Sequence, residues 1–126
     1  MYLLDTCAFI WAVQESPNLS SSVLNILAGD DEVYVSMATF WEIAVKQTTG
    51  KLDLNKDCFE LGEICRAEEV SILPLELAYL ERIKRLPLIH KDPFDRLIIA
   101  TAIERGLTLL TSDSQIIKYP DVKTLW

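Results

Sequence analysis

Short apolar runs punctuate the chain, and between them apolar residues recur at the three- and four-residue spacing of a helix face. Tyr2–Leu4, Val33–Val35, Val70–Leu73 and Leu107–Leu110 are the short runs, and they read as buried strands. Thr6–Val13 reads as a first helix, broken by Ser16-Pro17-Asn18. Ser20 caps a second helix that carries Val23, Leu24, Ile26 and Leu27 and closes at Gly29. Ser36 to Lys46 is a third, with Gly50 beyond its end and Lys51–Leu54 as a linker. Asn55 is expected to open a helix to about Ala67, with Phe59, Leu61, Ile64 and Cys65 facing inward. Leu75–Arg85 is another, ended by Pro87, and Val122–Leu125 holds a last edge strand. The strongest unit is Asp92–Gly106. Asp92 is a good N-cap, Pro93 sits where a missing N–H costs nothing, and Gly106 supplies the positive φ that stops the helix. Strands alternating with helices make the class α/β with a mostly parallel sheet.

The 126 residues suit a single domain spanning 1–126, and half of them are apolar, which argues against disorder. No apolar run reaches the roughly eighteen residues of a membrane span, and Asp5 follows too soon for a signal peptide. Cys7, Cys58 and Cys65 are odd in number and show no CxxC spacing, which points to reduced thiols in a cytoplasm and to no zinc site. Cys58 and Cys65 read as small buried hydrophobes. The net charge of −7 disfavours a general nucleic-acid binder unless the negative charge is gathered where cations offset it.

That exception gives the acids their interest. Asp5 follows the first strand, Glu42 lies on the helix after the second, Asp95 starts the Asp92–Gly106 helix, and Asp113 follows the next strand. In a parallel sheet all four converge on the carboxyl edge, where sites gather. Each close pair of such carboxylates repels by about 4 kcal/mol at an effective dielectric near 20. Protonation, a basic partner or a divalent cation must relieve this. An all-oxygen set favours Mg²⁺ or Mn²⁺, and such an ion supports phosphodiester hydrolysis.

Leu3-Leu4-Asp5-Thr6, Trp41-Glu42-Ile43-Ala44-Val45-Lys46 with Gly50-Lys51-Leu52, Asp92-Pro93-Phe94-Asp95-Arg96-Leu97-Ile98-Ile99-Ala100 and Leu109-Leu110-Thr111-Ser112-Asp113 together resemble the PIN-domain ribonucleases. More narrowly, they are similar to the VapC-like toxins of bacterial toxin–antitoxin pairs. The resemblance runs in order over nearly the whole chain, and the DPFDR segment is its most specific part. It implies a three-layer α/β/α fold and a Mg²⁺- or Mn²⁺-dependent endoribonuclease, often a homodimer, held inactive by a cognate antitoxin. Carried over, the catalytic acids are Asp5, Glu42, Asp95 and Asp113. Asp5, Asp95 and Asp113 would hold the metal, with Glu42 as a further ligand or as the group that orients water. Thr111 and Thr6 are expected to bond an acid or a water in the site, and Asp92 to support it from its cap position. The chain departs from the family pattern at Cys7, where a histidine would be expected after Asp-Thr.

Lys46, Lys91 and Arg96 are the candidate contacts to an RNA backbone, and Arg82, Lys84 and Arg85 extend a local basic cluster. His90, the only histidine, reads as a loop residue before a helix, with a phosphate contact as the alternative. Trp11, Phe40 and Trp41 read as core or dimer interface rather than base-stacking platforms. Two rival functions remain. One is a PIN-like module that binds partners without turnover. The other is an aspartyl-nucleophile phosphatase, weakened because Cys7 stands where that chemistry needs a second acid.

Overall fold

A computed structural model describes all of residues 1–126. Its elements, in chain order, are β1 (Tyr2–Leu4), α1 (Thr6–Val13), α2 (Ser21–Ala28), β2 (Val33–Ser36), α3 (Met37–Thr48), α4 (Cys58–Ala67), β3 (Val70–Leu73), α5 (Leu77–Ile83), α6 (Pro93–Arg105), β4 (Thr108–Leu110), α7 (Ser114–Ile117) and β5 (Thr124–Leu125). The five strands form one sheet in the order β3-β2-β1-β4-β5, and every pairing is parallel. Leu4 pairs with Val35 on one side and Leu110 on the other, so β1 is the centre of the sheet.

The pleat of the central strands divides the core. Leu3 and Leu109 join Tyr79, Leu97, Ile98 and Ile116 in a layer built from α5, α6 and α7. Leu4 and Leu110 join Phe9, Val23, Ile43 and Leu61 on the other face, under α1 to α4. Side chains alternate between the faces of a strand, so adjacent leucines serve opposite layers. That is why β1 and β4 read as continuous apolar runs. The chain leaves β1 for β2 and β3 on one side, then returns to β4 on the other. The carboxyl ends of β1 and β4 therefore flank the switch point of the sheet, where α/β folds place their sites.

The punctuation of the helices was legible locally. Ser20, Ser36, Asp92 and Asp113 cap α2, α3, α6 and α7, and Gly106 ends α6 at φ 64°. Three boundaries differ from the sequence-based expectation. Helix α4 begins at Cys58, because Asp57 and Glu60 form a reciprocal capping box that outcompetes Asn55. Phe59, expected inside, is 88 % exposed. Leu61 and Cys65 do fill the core, while Cys58 is half-buried and packs against it. Helix α5 is shorter than Leu75–Arg85, and its N-cap Glu76 makes no side-chain cap bond. The last strand is only Thr124–Leu125, followed by Trp126 edge-on to Trp11 at 5.6 Å. No helix is long and apolar enough to cross a membrane.

Candidate active site

Two of the acids arise where a strand stops and a helix begins. Asp5 follows β1, and its N–H donates to the Leu110 carbonyl at 3.2 Å, closing the last gap between β1 and β4. Its carboxylate caps α1, with Oδ1 accepting from the Ala8 N–H at 2.8 Å. Asp113 follows β4 and caps α7, with Oδ1 accepting from Gln115 at 2.8 Å and Ile116 at 3.4 Å. Each cap spends one carboxylate oxygen on helix N–H groups and leaves the other for the site. Asp95 sits in the first turn of α6, where its own N–H bonds the Asp92 carboxylate at 3.0 Å. Glu42 lies on α3 and is only 3 % exposed.

These acids sense one another. Burial pushes the Asp5 carboxyl up to about 6; the Thr111 hydroxyl and the Ala8 N–H oppose the shift, and the charges of Asp113 and Glu42 add to it. Burial pushes Asp95 up to about 7, with Asp92, Glu42 and Asp5 adding to the rise and His90 opposing it. At the rim, Cys7 is pushed up to about 11 by partial burial and then by Asp5, Asp95 and Glu42, so it stays a protonated thiol. The expected four acids are thus brought into one strongly negative locality. Glu42 holds Lys46 on Oε2 at 2.6 Å, while its buried Oε1 has no partner. A buried carboxylate oxygen without a donor is costly and rare. Desolvated acids, an all-oxygen donor set and this orphaned oxygen fit a hard divalent cation.

The supporting residues divide. Thr111 acts as expected, bonding Asp5 and accepting from the Asp113 N–H at 3.0 Å. Thr6 does not bond an acid; its hydroxyl pairs with that of Thr39 at 3.1 Å. Lys46 is held by Glu42, which raises its pKa, and Lys91 is exposed. Arg96 corrects the sequence reading. Its guanidinium donates to the Pro87 carbonyl at 2.8 Å, the Ile83 carbonyl at 3.1 Å and the Tyr119 hydroxyl at 3.1 Å, so its donors are engaged in bracing the segment before α6. The neighbouring basic cluster is largely paired: Arg82 and Arg85 with Glu104, and Lys84 with Glu81. Phe40 is buried against Phe9, while Trp41 is 54 % exposed and packs edge-on against Phe94 at 4.8 Å.

His90 is the residue that sequence reasoning missed. Its Nε2 lies 3.0 Å from Asp95 Oδ2 and 3.3 Å from Asp113 Oδ2, and the three groups lie within 4.8 Å of one another. Only its closeness to the DPFDR segment hinted at this. A separate apolar groove of about 350 Å³, lined by Phe9, Val13, Leu24, Leu27 and Ile64, includes none of the four site acids in its lining.

A family model described as PIN domain matches residues 2–122. Among curated proteins no match is found. Solved structures agree in fold. One is VapBC2 from Rickettsia felis bound to a DNA fragment from its promoter, with 17 % identity, TM-score 0.72, and 98 % of this chain and 96 % of that one covered. DNA-bound VapBC from Salmonella typhimurium matches at 14 % identity and TM-score 0.69, with 98 % and 96 % covered. FitAcB from Neisseria gonorrhoeae matches at 23 % identity and TM-score 0.66, with 100 % and 97 % covered.

Proposed function

Because the chain belongs to the PIN-domain family, we propose that it is a Mg²⁺- or Mn²⁺-dependent endoribonuclease and the toxin of a toxin–antitoxin pair. The observation that carries the nuclease reading is the set of desolvated carboxylates at the switch point, with Glu42 Oε1 buried and unpaired. Asp5, Asp95 and Asp113 would hold the ion, each having an oxygen not spent on a helix cap. When bound, such an ion polarises a phosphoryl oxygen and makes water a nucleophile at neutral pH.

The chain's own groups do the rest. Glu42, as a further ligand or through its free acceptor, orients the attacking water. Thr111 holds Asp5 and the turn of Asp113 in place. Asp92 holds the first turn of α6 and so the position of Asp95. Lys46 offsets the charge of Glu42 and, with the exposed Lys91, meets the RNA backbone; Arg96 is withdrawn from that role. The reading includes a homodimer, supported by the exposed stripe of Met37, Trp41 and Val45 along α3. It also includes an antitoxin partner and a place in the cytoplasm, supported by the likeness to chains solved as toxin–antitoxin complexes and by three free cysteines.

The test is incubation of purified, antitoxin-free protein with total cellular RNA in Mg²⁺, Mn²⁺ or EDTA, beside Asp5→Asn. Discrete fragments that need metal and Asp5 support the nuclease. Intact RNA under every condition, from folded protein, replaces it with a partner-binding module.

A further inference from the structure

The segment Leu86–Asp92 has almost no regular structure, yet it is held at several points. The His90 N–H donates to the Tyr119 hydroxyl at 2.9 Å. Tyr119 is 2 % exposed and also accepts from Arg96 at 3.1 Å, while Arg96 reaches the His90 carbonyl at 3.5 Å. The backbone of His90 is thus gripped on both sides by a buried phenol and a guanidinium. Its ring is oriented as well. Nδ1 accepts from the Asp92 N–H at 3.2 Å, and a ring nitrogen that accepts carries no proton. With Nδ1 accepting, the neutral ring carries its proton on Nε2, which faces Asp95 Oδ2 and Asp113 Oδ2. A nitrogen bearing a proton in that direction is a donor to carboxylates and not a metal ligand.

We propose that His90 is a positioning residue of the acidic site, its Nε2–H shared between Asp95 and Asp113 and its aim set by the Arg96–Tyr119 clamp. The inference rests on the metal-site reading above. Asp95 belongs to α6 and Asp113 to the turn after β4, and no backbone bond between those two turns sets their side-chain separation. A single N–H shared between their oxygens sets it. It takes one lone pair from each carboxylate and leaves the others for a cation. Hydrogen bonds to ligating groups of this kind tune metal affinity by about 10- to 100-fold. The clamp also explains the arginine of the DPFDR segment: it acts on the site through the loop it fastens.

The experiment is Mn²⁺ binding to the full chain, read from the loss of the free-ion paramagnetic resonance signal, without RNA. His90→Ala is expected to weaken binding by about tenfold or more. His90→Gln, whose amide N–H extends to a similar reach, recovers most of the affinity. His90→Asn, polar but too short, behaves as the alanine variant does and carries the comparison should that variant fail to fold. Tyr119→Phe weakens binding in the wild-type background and adds nothing in His90→Ala, because it acts through His90. Spin-echo spectra of the bound Mn²⁺ show no directly coordinated nitrogen. Binding by His90→Ala and His90→Asn equal to wild type overturns the proposal, as does strong imidazole coupling to the ion. A wild-type protein that binds no Mn²⁺ at all fells the metal-site reading itself, an outcome distinct from both.

Discussion

Asp5 and Asp57 start their helices through the same contact, a carboxylate Oδ1 accepting at 2.8 Å from the N–H three residues ahead. Their surroundings are opposite. Asp57 is exposed, and Glu60 returns the favour to its N–H at 3.3 Å. Asp5 is buried, and that burial pushes its carboxyl up to about 6, with the charges of Asp113 and Glu42 adding to the rise. Helix initiation explains Asp57 fully. It does not explain Asp5, because a neutral oxygen caps as well: the Ser20 and Ser36 hydroxyls do so for α2 and α3. A buried charge where a serine would serve is a cost that folding alone would not retain. The difference between the two caps is what marks Asp5, and not Asp57, as a candidate site residue.

The largest contrast is expected in catalysis. Asp5→Asn keeps the cap but lowers RNA cleavage by about 100-fold or more, whereas Asp57→Asn stays within about twofold of wild type, both read from fragment yields on gels. Next comes pH. Asp5 and Asp95 hold protons in the folded state up to about 6 and about 7, against an ordinary carboxyl value of 3.8 for each. Their unfolded forms ionise first, so metal-free protein loses stability as pH rises from about 4 to about 7, then levels off. Calorimetry in EDTA should show Tm falling by roughly 5 °C or more between pH 5 and pH 8, with a smaller fall in Asp5→Asn and an unchanged one in Asp57→Asn. Mn²⁺ should reverse the loss. At 100 times its Kd and pH 8 it adds about 2.7 kcal/mol to wild type and to Asp57→Asn, and far less to Asp5→Asn. The smallest effect belongs to the exposed cap. Asp57→Ala costs about 1 kcal/mol in denaturant unfolding and leaves metal binding untouched.

How far these regions were legible in the sequence follows from what sets each of them. Caps, glycine stops and apolar runs are local, so β1, α1, α3 and α6 could be placed from their own residues. The four acids were found because a parallel sheet sends its strand ends to one edge. Phe59 was misjudged because helical spacing gives a face but not the direction of the core; the neighbouring Leu61 and Cys65 take the inward places. The expectation that Thr6 bonds an acid or a water of the site rests on its place beside Asp5, and no local pattern shows that Thr39, on a helix distant in sequence, pairs with its hydroxyl. Arg96 read as a phosphate contact because its charge is visible and its acceptors are not. Those acceptors are main-chain carbonyls, which no residue pattern displays. His90 was missed for the same reason. Its meaning lies in Tyr119 and Asp113, which reach it only in the folded chain.

The central place of β1 also governs how the molecule comes into being. Its partners are β2, reached early in synthesis, and β4, made only after most of the chain described here has emerged. Contacts so distant in sequence form late and slowly, because their loop-closure cost must be met first. Until β4 docks beside β1, Asp113 has no route to Asp5, and the acids are scattered along an open chain. A ribosome carrying the unfinished polypeptide therefore carries no assembled site. The strand order works as a timer, making the emergence of β4 the condition for bringing the acids together.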